Sequence, residues 1–371
     1  MLYFLAERYD SDEHLAQSVF EKGSNVKIAI VGAGMAALAA VDVLKAAGCQ
    51  VVVFEKSRGV GGRMSSKRVG HLLAASASSS PVSVGYAEFG AQYFTARHPL
   101  FLQQVQQWQQ QGLVAPWLFV PHRYAEHACV ASPDAETRFV GTPQMHSPLQ
   151  QGFSQVELQL ECRIVELSYV FDDNSKATSG WILTDDQQQA YGRFDAVLLT
   201  CPAEQSRQLM NGHPLYPQIP AHPLLPCWSV LLQVASPSAL PVEGIFIQQG
   251  PLRWVAKQSA KPGREQFSLL APTEGNNSLN SVPEQWMVHL SAEVSQARLD
   301  WTPEQIIEFA ATSLSEVLAI PLQVEAAIAH RWLYASYDDS KEPVGLLHDK
   351  TLKLALAGDW TYGGRVENAW L

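Results

Sequence analysis

The segment that most restricts this chain is a short β-type run, Lys27–Val31 (KIAIV), which ends on Gly32-Ala33-Gly34. Apolar residues then recur at helical spacing through Met35, Leu38, Ala39, Val43 and Leu44, up to Gly48 as a helix stop. A second buried-type run, Gln50–Phe54 (QVVVF), follows and is closed by Glu55. Strand, glycine turn, helix, strand and terminal acid make a βαβ unit.

That unit carries chemistry. In Gly32-Ala33-Gly34-Met35-Ala36-Ala37, Gly32 permits a tight turn and Gly34 lets the backbone approach a pyrophosphate. The N–H groups at the helix start, with the positive end of its dipole, favour an anion. Ala37 stands where a third glycine is common, a position that needs only a small residue. Glu55, 23 residues after Gly32, offers acceptors to both ribose hydroxyls and would repel a 2′-phosphate. The tightly held nucleotide is therefore expected to be NAD or FAD rather than NADP.

Two more glycine-rich stretches decide between those. Lys56-Ser57-Arg58-Gly59-Val60-Gly61-Gly62-Arg63-Met64 suits a loop wrapping an extended dinucleotide, with the Arg63 guanidinium on the pyrophosphate. Near the end of the chain come Gly358-Asp359-Trp360 and Gly363-Gly364-Arg365-Val366-Glu367. An aspartate after a strand and glycine can accept from a ribityl hydroxyl. A helix starting at Val366 would aim N–H groups at the flavin pyrimidine oxygen. The three stretches together favour FAD, and place both ends of the chain on one cofactor.

Composition closes other routes. The formal net charge of −10 disfavours a general nucleic-acid binder, which needs clustered Lys and Arg. A 47% hydrophobic content over 371 residues is that of a folded chain of two domains, or of one domain with another inserted. No apolar run approaches a membrane span, and Glu7, Arg8, Asp10, Asp12 and Glu13 follow the apolar Met1–Leu5 too soon for a secretory signal. A cytoplasmic protein without membrane or nucleic-acid partners is expected. Cys49, Cys129, Cys162, Cys201 and Cys227 form no C-x-x-C pair, so neither a disulfide framework nor a metal site is expected. No His or Cys stands out as a flavin tether, so the FAD is expected to be non-covalent.

Further strands are expected at 162–170, 181–184, 194–200 and 352–357, and a helix over 301–319 with Thr302 as N-cap and Pro303 first. Phe101, Leu102, Val105 and Trp108 mark an amphipathic helix with a glutamine-rich face. The five prolines of 211–226 predict an irregular crossing, and the Ser-rich stretch 74–81 a surface insertion. The fold class is α/β: a Rossmann-like FAD-binding domain with an inserted α+β substrate domain. An extension, 1–25, precedes it. The nucleotide domain takes 26–98 (with the insertion at about 71–83), 156–205 and 345–371. The substrate domain takes 99–155 and 206–344.

The strings Gly90-Ala91-Gln92-Tyr93-Phe94-Thr95-Ala96-Arg97, Lys261-Pro262-Gly263-Arg264 and His330-Arg331-Trp332-Leu333-Tyr334-Ala335 join those motifs in a pattern that resembles the FAD-dependent amine-oxidase superfamily. Within it the chain resembles the bacterial renalase type, from about Lys27 to Leu371. The resemblance implies FAD contacts at Met35, Ala36, Glu55, Arg63, Gln92, Tyr93, Ile164 (through its backbone, toward adenine), Asp359 and Val366. It implies a substrate pocket at Tyr93, Phe94, Thr95, Ala96, Arg97, Ser132, Pro133, Asp134, Cys227 and Trp360, with Cys227 where that family has threonine. The implied reaction oxidises dihydropyridine isomers of NAD(P)H reduced at ring carbon 2 or 6 to NAD(P)+, with O2 reduced to H2O2.

Hydride loss from such a ring yields an aromatic pyridinium, so no general base is needed and no catalytic side chain is singled out. His330 and His289 read as structural histidines, and Cys201 as a small buried hydrophobe. Trp360, beside Asp359, is the tryptophan expected to stack on nicotinamide. The basic loop 257–264 reads equally as a phosphate contact or a solvated turn. The alternatives are an amine oxidase or desaturase of the same superfamily, or a flavin-holding protein impaired by a short C-terminus. Family members continue past the position of Leu371 with a further helix. The residues after Val366 are expected to be held by packing through Trp370 and Leu371, with weaker FAD retention and a lower flavin potential.

Overall fold

The computed structural model describes residues 26–69, 85–171, 179–234, 241–264 and 284–371; the N-terminal extension and the Ser-rich insertion lie outside them. Lys27–Val31 (β1) pairs in parallel with Gln50–Phe54 (β2) on one side and with Ala196–Leu199 on the other. Leu354–Leu356 and Glu157–Gln159 extend the parallel set at opposite flanks, and Leu347–Asp349 adds an antiparallel edge. Met35–Ala46 (α1) crosses over between β1 and β2. Both faces of this six-stranded sheet are covered, which is why its strands read as continuous apolar runs. Ile28 and Ile30 join one core with α1 and Val53; Ala29 and Val31 join another with Phe54, Leu199 and Leu356.

A seven-stranded sheet forms the second layer, in the order Val324–Tyr337, Leu224–Val234, Glu284–Leu290, Leu252–Lys257, Gly244–Ile247, His122–Ala125, Ala128–Ala131. Its neighbours are antiparallel except Gly244–Ile247 with His122–Ala125. The helix Pro303–Leu318 covers it with Ile306, Ala310 and Leu314, all fully buried. That helix starts as its sequence predicts: Thr302 and Gln305 each accept from the other's backbone N–H, a capping box. Among the described residues, no helix is long and apolar enough to cross a membrane.

Two expectations need correction. The run 194–200 is not one strand: Phe194 ends Ala190–Phe194 in a separate three-stranded sheet, and Ala196–Leu199 belongs to the parallel sheet. Asp195 makes the break, its carboxylate accepting from Lys27 N and its N–H donating to Lys27 O, both at 2.7 Å. The proline-rich crossing also ends earlier than 226. Leu224–Val234 already includes Pro226, tolerated because the ladder slips register there, between Leu225 and Cys227.

Candidate functional site

Four parallel strands end on one edge, delivering Gly32, Glu55, Thr200 and Gly358-Asp359 to the same side of the sheet. In an open α/β sheet, ligands bind outside the carboxyl ends of the strands. Gly32 has φ +108°, and a Cβ there would stand 2.8 Å from Thr200 Oγ1, so this turn excludes any side chain. Gly34 differs. Its φ of −96° suits any residue, and a Cβ would meet nothing within 4 Å. The protein does not need this glycine; a ligand approaching the backbone would.

The start of α1 is prepared for an anion. Gly34 supplies no capping side chain, and the first turn holds no acid. Glu55 is buried beside it, accepting from Ala33 N at 3.0 Å and from Ser57 N at 2.8 Å. Each oxygen keeps a lone pair for a ribose hydroxyl. The second glycine loop is pinned against the first: Gly61 N donates to Ala33 O at 2.9 Å. These residues suit an adenosine diphosphate: pyrophosphate at α1, ribose at Glu55.

Arg63 and Asp359, expected separately on pyrophosphate and ribityl hydroxyl, are bidentate partners of each other, one bond at 2.8 Å. Opposite charges on facing loops pair first, and the guanidinium also reaches Ala335 O at 3.2 Å. From Arg63 the structure passes directly to the second layer. Its carbonyl accepts from Ala91 N at 2.8 Å, and a Cβ on Gly90 would lie 2.0 Å from that same oxygen.

Beyond Gly90 lies a buried polar centre. Glu88 accepts from Ser66 Oγ at 3.0 Å and from Gln258, with Lys261 Nζ at 3.4 Å. Arg264 is charge-paired at 3.0 Å, although its Nε–H is not aligned for a hydrogen bond. Burial opposes the Glu88 charge, but Lys261, Arg264 and the two hydrogen bonds overcome it and bring the pKa down to about 2. Burial lowers Lys261 to about 8 against the pull of Glu88. The loop 257–264 is thus neither a solvated turn nor a free phosphate contact. Gln92 belongs to this centre: its side chain accepts from Lys261 at 2.8 Å and donates to Glu88 O and to Gly90 O.

The expected substrate residues divide. Tyr93 is half-buried against Trp254, with ring centroids 5.4 Å apart. Phe94 instead turns into the core at 3% exposure, stacked on Phe139. Trp360 is 1% exposed, its indole donating to Cys201 O at 3.1 Å. Stacking on a ligand needs an open face, and neither ring has one. Thr95 and Ala96 continue the segment half-buried. Arg97 is exposed and paired with Glu136 at 2.6 Å. Ser132 is half-buried and Pro133 exposed, and Asp134 reaches inward only through its ion pair with Arg138. Cys227 is lodged against Leu290 O, and burial pushes its thiol up to about 11. The side chain of Ile164 is buried where its strand slips register against the next.

His289 and His330 are structural in their contacts. His289 Nε2 meets Phe89 O at 3.1 Å and is brought by burial to about 3. His330 Nδ1 lies 2.7 Å from Lys67 Nζ, and burial and that cation lower it to about 4. Cys201 is buried against Ser206. The helix at Val366 runs only to Trp370, which packs on Phe101 with centroids 5.4 Å apart, while Leu371 packs on the same core. Sequence reasoning missed Glu367, whose carboxylate accepts from Arg97 N and His98 N at 2.7 and 2.6 Å. It also missed Glu88 and Arg138. Arg138 follows Asp134 by four residues outside any helix, so spacing carried no signal.

Comparison with known proteins agrees with this architecture. Residues 30–106 match a family described as an NAD(P)-binding Rossmann-like domain. A candidate protoporphyrinogen oxidase from Exiguobacterium sp. 255-15 superposes with TM-score 0.66 at 12% identity, covering 94% of this chain and 96% of its own. An oxidoreductase from Methanosarcina mazei gives 0.63 at 11%, covering 93% and 98%. A putrescine oxidase bound to putrescine gives 0.61 at 12%, covering 93% and 96%. At such identities the likeness is one of fold: a Rossmann-like nucleotide domain joined to a second, sheet-based layer, shared along nearly the whole chain.

Proposed function

We propose that the protein is an FAD-dependent oxidoreductase of the flavin amine-oxidase superfamily, and within it a renalase-type oxidase of 2- and 6-dihydro isomers of NAD(P)H. The observation that carries the flavin reading is the meeting of three glycine-rich segments on one strand edge, through Ala33 with Glu55, Gly61 with Ala33, and Arg63 with Asp359. Glu55 would hold the adenosine ribose, the start of α1 the pyrophosphate, and Asp359 the ribityl chain. Bound there without a covalent link, FAD would accept a hydride and pass the electrons to O2, giving H2O2.

The chain's own part is positioning. Hydride transfer needs the donor ring held at about 3–3.5 Å from its acceptor, with water excluded. The half-buried Tyr93 and Phe246, backed by the buried Trp254, offer an apolar wall for a flat ring. Arg138 stands beside Tyr93 with its charge paired to Asp134. The aromatic wall is also the observation favouring the second reading, an amine oxidase, since aromatic faces attract ammonium groups.

An anaerobic spectrum separates them. The purified protein should be yellow, and isomers reduced at carbon 2 or 6 should bleach it rapidly while 4-dihydro NADH and amines act slowly. Faster bleaching by an amine than by either isomer would transfer the protein to the second reading.

A further inference from the structure

The antiparallel ribbon of Ser66–Arg68 and Tyr86–Glu88 turns one face to the second sheet. Side chains alternate along a strand, so Lys67 shares that face with Val69, Ala87 and Phe89. Those three pack with Leu231, Met287 and Trp332 of the sheet. The sequence thus places an amine on a face whose other positions are apolar.

The neighbours of that amine are a base and two rings. Nζ lies 2.7 Å from His330 Nδ1, 5.4 Å from the Phe89 ring centroid and 5.7 Å from that of Trp332. The same two rings hold the imidazole, 4.6 Å from Trp332 and 6.0 Å from Phe89, both near perpendicular. Among the described residues no carboxylate pairs with Lys67, and burial lowers its pKa to about 8. His330, lowered to about 4, is neutral at physiological pH and presents Nδ1 as an acceptor. Lys67, His330 and Trp332 are each only half-buried, so solvent reaches the group.

A lysine desolvated among apolar groups, with a base at hydrogen-bond distance, is the arrangement of an amine nucleophile. We propose that Lys67 is a carbonyl-capture site, where a small uncharged aldehyde is converted to an imine with His330 as the positioning base. The neutral amine adds its lone pair to the carbonyl carbon, and the π pair moves to oxygen. The surplus proton on nitrogen passes to that oxygen by way of His330 Nδ1. The carbinolamine then loses its hydroxyl and the remaining N–H proton as water, leaving a C=N bond. No oxidant or reductant enters. The aldehyde is uncharged because the walls beside the amine are the faces of Phe89 and Trp332. This inference does not depend on the flavin reading.

The test is trapping. The protein as purified is incubated with propanal and cyanoborohydride at about pH 8, and peptide mass spectrometry follows each lysine with time. About half of Lys67 is neutral there, against under about 1% of an ordinary lysine. Partial burial and lower basicity offset much of that advantage. Lys67 should therefore be alkylated on the order of tenfold faster than the exposed Lys341. His330→Phe keeps a ring between Phe89 and Trp332 and removes the base; it should slow Lys67 several-fold and leave Lys341 unchanged. In guanidinium chloride the two wild-type lysines should react alike, which keeps the test decisive if the variant does not fold. Three results would each overturn the proposal: Lys67 no faster than Lys341 in the folded protein, the same preference in the unfolded chain, or His330→Phe reacting at the wild-type rate.

Discussion

The two layers of this protein build their parts of the site by opposite means. On the nucleotide side the backbone does the work: a turn that excludes a side chain at Gly32, an uncapped helix start, and one carboxylate, Glu55, holding two N–H groups. On the other side it is side chains from distant strands, Glu88 with Lys261 and Arg264, and Arg138 against three rings. The first arrangement rests mainly on backbone geometry and a single buried carboxylate. The second consists of buried charges that each depend on a partner.

The largest expected effect follows from that contrast. Glu88→Gln leaves two buried cations facing each other and should cost about 3–5 kcal/mol in urea unfolding, eased if Lys261 sheds its proton. Asp359→Asn, whose partner Arg63 is 29% exposed and can turn to water, should cost less than Glu88→Gln while lowering flavin content. Equal losses in the two variants would erase the distinction. Next in size, Glu55→Ala should lose about 1–3 kcal/mol of FAD affinity, read as occupancy over a dilution series. Unchanged occupancy would remove Glu55 from the ribose.

Acid should also find the second layer first. His289 and His330 have pKa values held near 3 and 4 in the fold, below their ordinary 6.5. Their contribution is complete above pH 6.5 and is lost as pH falls toward 3. Glu88 adds the same sign between 4.5 and 2. Lys261, depressed to about 8, makes stability rise with pH between 8 and 10.5. Each group contributes at most about 1.4 kcal/mol per pH unit. The urea midpoint should start to fall near pH 6.5, and His289→Gln should flatten that slope. The smallest effect is a control: Thr302→Ala should cost about 1 kcal/mol of stability, by loss of the capping box, with flavin content unmoved.

The same contrast decides what could be read from the chain. The βαβ unit from Lys27 to Glu55 was legible because its parts are adjacent in sequence and each carries its own signature. The helix after Thr302 was legible for the same reason, its cap written in three residues. The Arg63–Asp359 pair was half legible: both residues stood out, but their mutual bond spans 296 positions and no spacing records it. Trp360 was misplaced because a tryptophan beside a site residue and a tryptophan under it look alike in sequence; only its 1% exposure separates them. Arg138, Glu88 and Lys261 acquire meaning only from residues that the antiparallel sheet brings from elsewhere.

Glu367 bears on how the two ends of the chain are joined. The helix Pro99–Gln110 has no acid in its own first turn, and Glu367 stands at its entrance, taking the N–H groups of Arg97 and of the N-cap residue His98. One carboxylate from the far end of the chain thus serves as that helix's anion. Trp370, one turn along, presses on Phe101 of the same helix. The two short contacts make a clamp, with the segment Tyr93–Arg97 leading into one jaw and the turn from Asp359 into the other. The segment Tyr93–Arg97 and the turn from Asp359 are thus tied to each other by contacts that belong to neither sheet.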